Sequence, residues 1–355
     1  MQTPAHRPAG ARPKPAADDL RRGSPRRTII ALTDLPRIFE KYALAMTPVT
    51  ADLIRRAGSD PTILALLPQD AGWDVPHRLT AAVGWLVDVG RAEDYRIAPD
   101  PWAAFRATVL EHADWVRDFV RERPVQTNEV QRCFVLLPIF LTIARATGLP
   151  LDLLELGASA GLNLLWDRYR YRYAAGRWGP AGVRLELSGE ERGAVPGDLL
   201  EQAVTVRRRR GIDLRPLDVR SDDDVRTLRV FAAPARHARL LHAVEIAREN
   251  PPKLIAGDYL EVLPELLADR ETDALTVVFQ TLSAIYLTLE HRARLWEIVE
   301  SAGRAAPLAY VWTPTPEEHG QRRSDYPVEL AMWPTGDRRF IARMENHGEW
   351  LDWLG

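Results

Sequence analysis

The spacing of apolar residues along the chain changes at residue 150. Before it, apolar side chains recur every three to four positions in segments such as DLPRIFEKYALAM and DPWAAFRATVLEHADWVRDFVRER. This spacing places them on one face of a helix, and several segments open with the residue types that cap helix N-termini. We predict an all-helical N-terminal domain over residues 28–150. Residues 1–27 are rich in Pro, Ala and Arg without apolar periodicity, which predicts a disordered tail.

After residue 150, short apolar strands alternate with amphipathic helices, which is typical of a parallel sheet with helices on both faces. The predicted strands are LDLLELG, two segments ending at Asp213 and Asp258, ALTVVFQT and PLAYVWTPT, with an insertion near residues 172–206. The closing stretch YPVELAMWPTGDRRFIARM predicts two strands joined by a PTGD turn. Residues 151–355 are therefore predicted to form a Rossmann-like α/β domain, a doubly wound sheet with a terminal antiparallel hairpin.

The amino-acid composition excludes some classes of binding partner. The 355 residues carry a formal net charge of −2, which gives no basic field for nucleic acid. Cys133 is the one cysteine, so an internal disulfide and a cysteine-rich zinc site are excluded, and no metal-ligand spacing is apparent. The apolar run CFVLLPIFLTIA is short for a membrane span and contains Pro138, and no secretory signal appears. We predict a cytoplasmic protein with a small-molecule partner and no membrane or nucleic-acid partner.

The stretch LLELGASAGLNLLWDRY carries the candidate chemistry. Glu155, Gly157, Ser159 and Gly161 alternate through a strand end and a small-residue turn, before a segment with the apolar pattern of a helix. Small residues let backbone approach a ligand closely, and a helix N-terminus favours anions. S-adenosylmethionine methyltransferases end their first strand with E/D-x-G-x-G-x-G, and here serine replaces the middle glycine.

Further strand ends fit the same interpretation. Carboxylates at Asp213 and Asp258 would accept hydrogen bonds from ribose hydroxyls and from groups near the adenine, although either Asp could instead cap a helix. Gln280, at the end of VVFQT, completes the candidate cofactor contacts. The order of these elements is similar to that of the S-adenosylmethionine methyltransferase fold.

A second interpretation makes the turn a nucleophile elbow. Gly157-Ala-Ser159-Ala-Gly161 matches G-x-S-x-G, with Ser159 as nucleophile and Asp258 and His347 completing a triad in chain order. No HGGG-like oxyanion loop precedes Ser159. A dinucleotide fingerprint does not fit, because its second and third glycines would fall on Ser159 and Leu162.

The polar segment QTNE lies before the glycine strand. Gln126, Asn128 and Glu129 could project over the turn and line a substrate pocket, with Glu129 as the candidate general base. Alternatively, Thr127 or Asn128 simply caps the following helix.

Three sequence segments carry a resemblance to a known family. QTNEVQR at residues 126–132, with ELGASAGLNL and then GDYLEVLP, resembles a bacterial family known as domain of unknown function 2332, over nearly the whole chain from about residue 30. The resemblance implies a helical N-terminal part and a methyltransferase-like C-terminal part, and assigns no substrate. That family carries His where this chain has Gln280, which disfavours a mechanism needing a base at that strand end.

These observations favour an S-adenosylmethionine-binding protein that methylates an unknown small molecule. Two alternatives stay open: an esterase using Ser159, and a non-catalytic protein that binds the cofactor as a sensor or scaffold.

Overall fold

A computed structural model of the protein describes residues 34–44, 46–68, 72–271, 273–314 and 325–355. The predicted tail over residues 1–27 lies outside these ranges. The described part is a mixed α/β structure, with a helical N-terminal region and a large, mostly parallel sheet.

Six helices form the N-terminal region, here called the helical unit: α1 Leu35–Ala43, α2 Pro48–Ser59, α3 Pro61–Leu66, α4 Val75–Asp88, α5 Pro101–Glu111 and α6 Ala113–Glu122. Asp34, Asp60 and Asp100 accept hydrogen bonds from backbone N–H groups at the starts of α1, α3 and α5, which fixes where these helices begin. Their apolar faces form one core, which also includes Phe231 from a later helix. The helical unit is therefore anchored to the rest of the protein through that residue.

Helix α7, Cys133–Thr147, follows a 3-10 turn at Val130–Arg132. Its buried side chains belong to the core under the sheet, and not to the core of the helical unit. The boundary predicted at residue 150 stays a prediction, but the packing of α7 groups it with the sheet. Together with the 3-10 turn it makes an 18-residue apolar stretch, Val130–Thr147, long enough by composition to cross a membrane, and 72% of that stretch is buried inside the protein. Its apolar character is thus explained by core packing.

The remaining strands and helices follow in chain order. The strands are β1 Leu151–Leu156, β2 Arg170–Tyr173, β3 Gly176–Trp178, β4 Glu186–Leu187, β5 Glu190–Gly193, β6 Val206–Asp213, β7 Lys253–Ala256, β8 Leu275–Phe279, β9 Leu308–Trp312, β10 Tyr326–Trp333, β11 Asp337–Met344 and β12 Trp350–Trp353. The helices are α8 Asp222–Phe231, α9 His237–Glu249, α10 Tyr259–Ala268 and α11 Leu289–Ala305.

The main sheet has nine strands in the order β5-β12-β11-β10-β9-β8-β1-β6-β7. Strands β7, β6, β1, β8 and β9 run parallel, and β10 and β11 form the antiparallel hairpin expected from the PTGD turn. Strand β1 is buried on both faces: Leu151 and Leu153 face α7 and α9, while Leu154 and Leu156 face α10 and α11. This central position holds the end of β1 in place.

Candidate functional site

The carboxyl ends of β1, β6, β7 and β8 meet at one edge of the sheet. After β1 the chain adds β6 on one side and later β8 on the other, so its direction of growth reverses beside β1. Ligands of open α/β sheets bind outside the carboxyl ends of the strands at such a reversal. The turn at residues 157–161 and Asp213 lie at this edge.

Three residues of the turn adopt left-handed backbone conformations: Gly157 and Gly161 with φ of 72° and Ser159 with φ of 53°. A Cβ atom on Gly157 would lie 2.4 Å from Cβ of Ser283, and one on Gly161 would lie 2.7 Å from Cγ of Pro252. These two positions therefore require glycine. Ser159 has a side chain and still adopts this conformation, which costs energy that its surroundings must offset.

Hydrogen bonds hold Ser159 in place. Its backbone N–H donates to Oδ2 of Asp213 at 2.8 Å, and its carbonyl accepts from the N–H of Leu217 at 3.1 Å. Its hydroxyl donates to Oε1 of Gln126 at 2.7 Å. The predicted site residues Gln126, Ser159 and Asp213 are thus brought together by direct contacts.

The segment after the turn differs from the sequence prediction. Residues Leu162–Arg168 form a seven-residue 3-10 helix with a kink at Leu165, where an α-helix was expected. The carbonyl of Leu162 accepts from the Tyr169 hydroxyl at 2.6 Å, and that of Trp166 accepts from the Tyr171 hydroxyl at 2.7 Å. These side-chain donors replace the next turn of an α-helix. The prediction of an α-helix directly after the turn is therefore wrong, whereas the approach of N–H groups to a ligand stays a prediction.

Residues 124–132, here called the crossing segment, run along the sheet edge. Asn128 Oδ1 accepts from the N–H of Leu162 at 2.9 Å, and Gln126 Nε2 donates to the carbonyl of Arg215 at 3.2 Å. Glu129, and neither Thr127 nor Asn128, caps the 3-10 turn that follows. The segment thus ties the ends of β1 and β6 together through side chains.

Glu129, the candidate general base, is a paired carboxylate. Its Oε1 accepts from Arg239 at 2.9 Å, and its Oε2 lies 3.4 Å from Nε of Arg236. Both arginines flank or belong to α9. The role of Glu129 as a base stays a prediction, and these contacts fit a positioning role for the crossing segment better.

Glu155 is a buried carboxylate with one oxygen unsatisfied. The residue is 2% exposed, and its Oε1 accepts from Asn163 Nδ2 at 3.2 Å. Its Oε2 has no hydrogen-bond partner among the described residues. Burial raises the pKa of Glu155 to about 8, against the lowering effects of Asn163 and Arg132. Among the described residues, this acidic group therefore has neither an ion-pair partner nor a second hydrogen-bond donor.

Arg132 is the basic counterpart nearby. Its Nε donates to the carbonyl of Asn346 at 2.9 Å, and one terminal nitrogen donates to the carbonyl of Thr281 at 3.2 Å. Within the described ranges, no carboxylate lies within ion-pair distance of it. Burial lowers the pKa of Arg132. Of the nearby charges, that of Glu129 opposes this lowering most strongly. This guanidinium is thus bound by neutral carbonyls of the loops that follow β8 and β11.

The side chains of the remaining predicted residues mainly form hydrogen bonds with backbone groups. Asp213 Oδ1 accepts from the N–H of Arg215 at 2.9 Å, and Asp258 caps α10 by accepting from the N–H of Leu260 at 2.8 Å. Gln280 is buried between two loops: its Nε2 donates to the carbonyl of Thr313 at 3.2 Å, and its Oε1 accepts from the N–H of Ala284. Its cofactor contact stays a prediction.

Several residues at this edge of the sheet were not identified as site residues from the sequence. Ser283 packs against Gly157, and its hydroxyl donates to the carbonyl of Leu156 at 2.8 Å. Burial raises the pKa of Tyr259, which a hydrogen bond with Ser283 opposes. Leu214, beside Asp213, is 57% exposed. The QTLS stretch after β8 could have indicated a polar loop at the edge, but not its contact with a turn 126 positions earlier.

The triad of the nucleophile-elbow interpretation is not assembled. The Ser159 hydroxyl donates to an amide oxygen, while His347 Nδ1 lies 2.8 Å from Oε1 of Glu345 and Asp258 caps α10. A positive φ at Ser159 is compatible with an elbow, but among the described residues no imidazole bonds to its hydroxyl. No group of three or more His, Cys, Asp or Glu in the described ranges could hold a metal ion.

Comparisons with known proteins give one strong match. The model of a family described as "Uncharacterized protein conserved in bacteria (DUF2332)" matches residues 37–353. No curated protein matches the chain. A solved structure described as the high-resolution (2.2 Å) crystal structure of WbdD matches with 15% sequence identity and a TM-score of 0.25, over 57% of this chain and 38% of that chain. At this TM-score the match carries no argument, whereas the family model covers most of the sequence, and the chain therefore belongs to the DUF2332 family of uncharacterised bacterial proteins.

Proposed function

We propose that the protein binds S-adenosylmethionine at the carboxyl edge of its sheet and transfers the methyl group to a small molecule. The observation that carries this proposal is the unpartnered Oε2 of Glu155 beside the turn. A buried carboxylate without a partner costs several kcal/mol, because water no longer solvates its charge. The ammonium of an α-amino acid group would supply the missing donor and charge.

Arg132 complements Glu155 for such a ligand. The head of S-adenosylmethionine carries an ammonium and a carboxylate on one carbon. Arg132 has no carboxylate partner among the described residues, and the charge of Glu155 acts on it. A guanidinium binds carboxylates with strong, charge-assisted hydrogen bonds. One acidic and one basic group, neither in an ion pair within the described residues, are what a zwitterionic head requires.

The neighbouring strand end suits the nucleoside. The carboxylate of Asp213 has lone pairs beyond those used by Ser159 and Arg215, and could accept from two ribose hydroxyls. Leu214 offers an exposed apolar surface beside it for a planar base. The turn between Glu155 and Asp213 lacks bulky side chains, so the middle of the ligand could approach the backbone.

The order of the parallel strands supports the same assignment. The sequence β7-β6-β1-β8-β9 with a reversal beside β1 is that of doubly wound nucleotide-binding sheets. We infer that this part of the chain is a Rossmann-like, methyltransferase-type domain. S-adenosylmethionine would supply an activated methyl group for direct displacement. The protein's own residues then have to align the two reactants and exclude water.

The test is calorimetric titration of the purified protein with S-adenosylmethionine and S-adenosylhomocysteine. We expect micromolar binding of both, at least tenfold weaker in Glu155→Gln and in Asp213→Ala. Glu300→Gln, a change on the surface of α11, is the control and should bind as the unmodified chain does. Absence of binding by the unmodified chain would refute the proposal, and equal affinity in all variants would place the ligand elsewhere.

The two alternatives are separated by further measurements. A fluorophosphonate probe should leave Ser159 unlabelled, because no histidine among the described residues activates its hydroxyl; covalent labelling would instead establish the esterase. Binding without methyl transfer to any acceptor in a broad panel would favour the sensor or scaffold interpretation.

A further inference from the structure

A second pair of polar side chains at this edge has no role in binding the methyl donor. Glu345 and His347 lie on the loop between β11 and β12, and Nδ1 of the imidazole is 2.8 Å from Oε1 of Glu345. Oε2 of Glu345 accepts from the backbone N–H of His347 at 2.8 Å. The carboxylate therefore fixes both the loop and the ring. With Nδ1 donating to it, Nε2 carries the lone pair.

The loop is held against the crossing segment. Asn346 accepts a hydrogen bond from Arg132, and Gln131 Nε2 donates to the carbonyl of Gly348 at 3.3 Å. A Cβ atom on Gly348 would lie 2.7 Å from the carbonyl oxygen of Gln131, so the backbones are in direct contact. Arg132 in turn bonds to Thr281 after β8. These contacts place His347 at the same sheet edge as the turn.

Two exposed aromatic rings lie in the same neighbourhood. Trp73, just before α4, stacks on Tyr286 after β8, with ring centroids 6.0 Å apart and planes inclined by 17°. They are 46% and 42% exposed. Tyr286 lies near enough to Arg132 for its charge to affect the pKa of that arginine. A half-exposed aromatic pair near polar side chains is a surface on which a planar ligand can stack.

His77, near the start of α4, is close enough to His347 for the charge of His347 to act on it. Burial lowers the pKa of His77 on α4 to about 4, and the charge of His347 contributes in the same direction. The charged or titratable groups around His347 are thus Glu345 and Glu349 on its own loop, His77 on α4, and Arg132 beside it. In the described ranges, Nε2 of His347 has no hydrogen-bond partner, so its lone pair is not used within the protein.

We propose that the methyl acceptor is an aromatic compound with a phenolic hydroxyl, which stacks on Trp73 and Tyr286 and gives its proton to Nε2 of His347. Glu345 is the positioning residue that stabilises the resulting imidazolium. This proposal rests on the proposed function. The O–H bond of the acceptor breaks, its proton forms a bond to Nε2, and its electron pair stays on oxygen. That oxygen then displaces the thioether from the sulfonium methyl donor, giving a methyl ether and S-adenosylhomocysteine.

The choice of a phenol follows from acidity as well as from stacking. A phenolic hydroxyl has a pKa of about 10, within a few units of the imidazole value of about 6.5, so a positioned histidine can take its proton. An aliphatic hydroxyl is far less acidic, and an apolar acceptor would have no use for the Glu345–His347 pair.

The test uses 4-nitrophenol as the probe, because its phenol and phenolate forms absorb at different wavelengths. Titration of the unmodified protein at pH 7 should give saturable binding with an increase in the phenolate band. His347→Gln should bind the probe with no increase in that band, and Glu345→Gln should give a smaller one. Trp73→Ala should bind about tenfold more weakly, whereas Trp102→Ala, which changes a tryptophan on α5, should bind as the unmodified protein does.

Three outcomes would overturn the proposal: no binding by the unmodified protein, binding without a change in the phenolate band, or the same change in His347→Gln. Calorimetry with S-adenosylhomocysteine on the same variants should show unaltered affinity, which establishes that they are folded. If S-adenosylhomocysteine fails to bind the unmodified protein, the proposed function fails, and the 4-nitrophenol spectra still report on His347 independently.

Discussion

Strand β1 carries one buried carboxylate near each end, and the two have opposite surroundings. Asp152, at the amino end, is 1% exposed and is hydrogen-bonded at 3.2 Å by Nε and by a terminal nitrogen of Arg207, with Arg208 3.6 Å away. Glu155, at the carboxyl end, is equally buried but receives one hydrogen bond, from a neutral amide. The hydrogen bond that Arg207 donates to Asp152 is also the main reason why the pKa of Arg207 is raised.

The difference separates two uses of a buried charge. At the amino end the charges are matched within the protein, so they stabilise the fold and leave nothing for a ligand. At the carboxyl end the protein leaves Glu155 unmatched, which costs stability that a ligand of opposite charge can restore. If the proposed function is correct, the same strand contributes to folding at one end and to ligand recognition at the other.

The largest expected effect is a pH dependence of stability caused by Glu155. Its pKa is about 8 in the folded protein against 4.5 for the free side chain, so the folded state binds more protons between these values. Stability should therefore fall as pH rises through this window, by about 4 kcal/mol between pH 5 and pH 8.5. Urea unfolding at the two pH values measures it, with Glu155→Gln as the comparison, because that variant should lose much less. Parallel losses in both proteins would show that Glu155 is not the cause.

A glycine of the turn should give the next largest effect. Gly157→Ala forces a left-handed backbone and a clash with Ser283, which we expect to cost about 3 kcal/mol. Gly148 has a similar φ of 66° but open space around it, so Gly148→Ala should cost only about 1 kcal/mol. Chemical denaturation of both variants isolates the contribution of the clash. Equal losses would mean that Ser283 moves aside freely.

The amino end of β1 should behave in the opposite way to the carboxyl end: a change there should lower stability and leave ligand binding unaltered. Asp152→Asn removes a charge that Arg207 and Arg208 share, and should cost about 2 kcal/mol of unfolding free energy. Calorimetry should show unchanged affinity for S-adenosylhomocysteine, since this end of the strand is remote from the turn. A drop in affinity comparable to that of Glu155→Gln would abolish the contrast between the two ends.

The smallest effect concerns the hydroxyl of Ser159. Ser159→Ala removes its hydrogen bond to Gln126 and should cost about 1 kcal/mol. Gln126→Ala should cost a similar amount, and the double variant should cost less than the two single changes added together. Thermal unfolding of the four proteins completes this cycle. Strict additivity would show that the contact contributes nothing to stability.

Local patterns were sufficient to predict the alternation of strands and helices after residue 150 and the placement of Asp213 at a strand end. Both depend on neighbours in sequence. Local patterns failed to predict the 3-10 helix after the turn, where the hydroxyl groups of Tyr169 and Tyr171 compete with the backbone hydrogen bonds of an α-helix. Arg132 and the Glu345–His347 pair were not predicted as parts of the proposed methyl-transfer site, because only the fold brings residues 132, 281 and 346 together. Which charges would be paired could not be predicted either, since Asp152 and Glu155 look alike in the sequence.

The left-handed backbone conformation of Ser159 also restricts which residue types this position can accept. A β-branched residue such as Val or Thr would be strongly disfavoured at this φ, whereas Gly, Asn or Asp could replace serine with little strain. A relative with Gly at this position would lose the hydroxyl that bonds to Gln126, and the glutamine would keep only its hydrogen bond to the carbonyl of Arg215. Positions 126 and 159 should therefore change together among members of the family. In an alignment of relatives, the residue types at these two positions should be correlated.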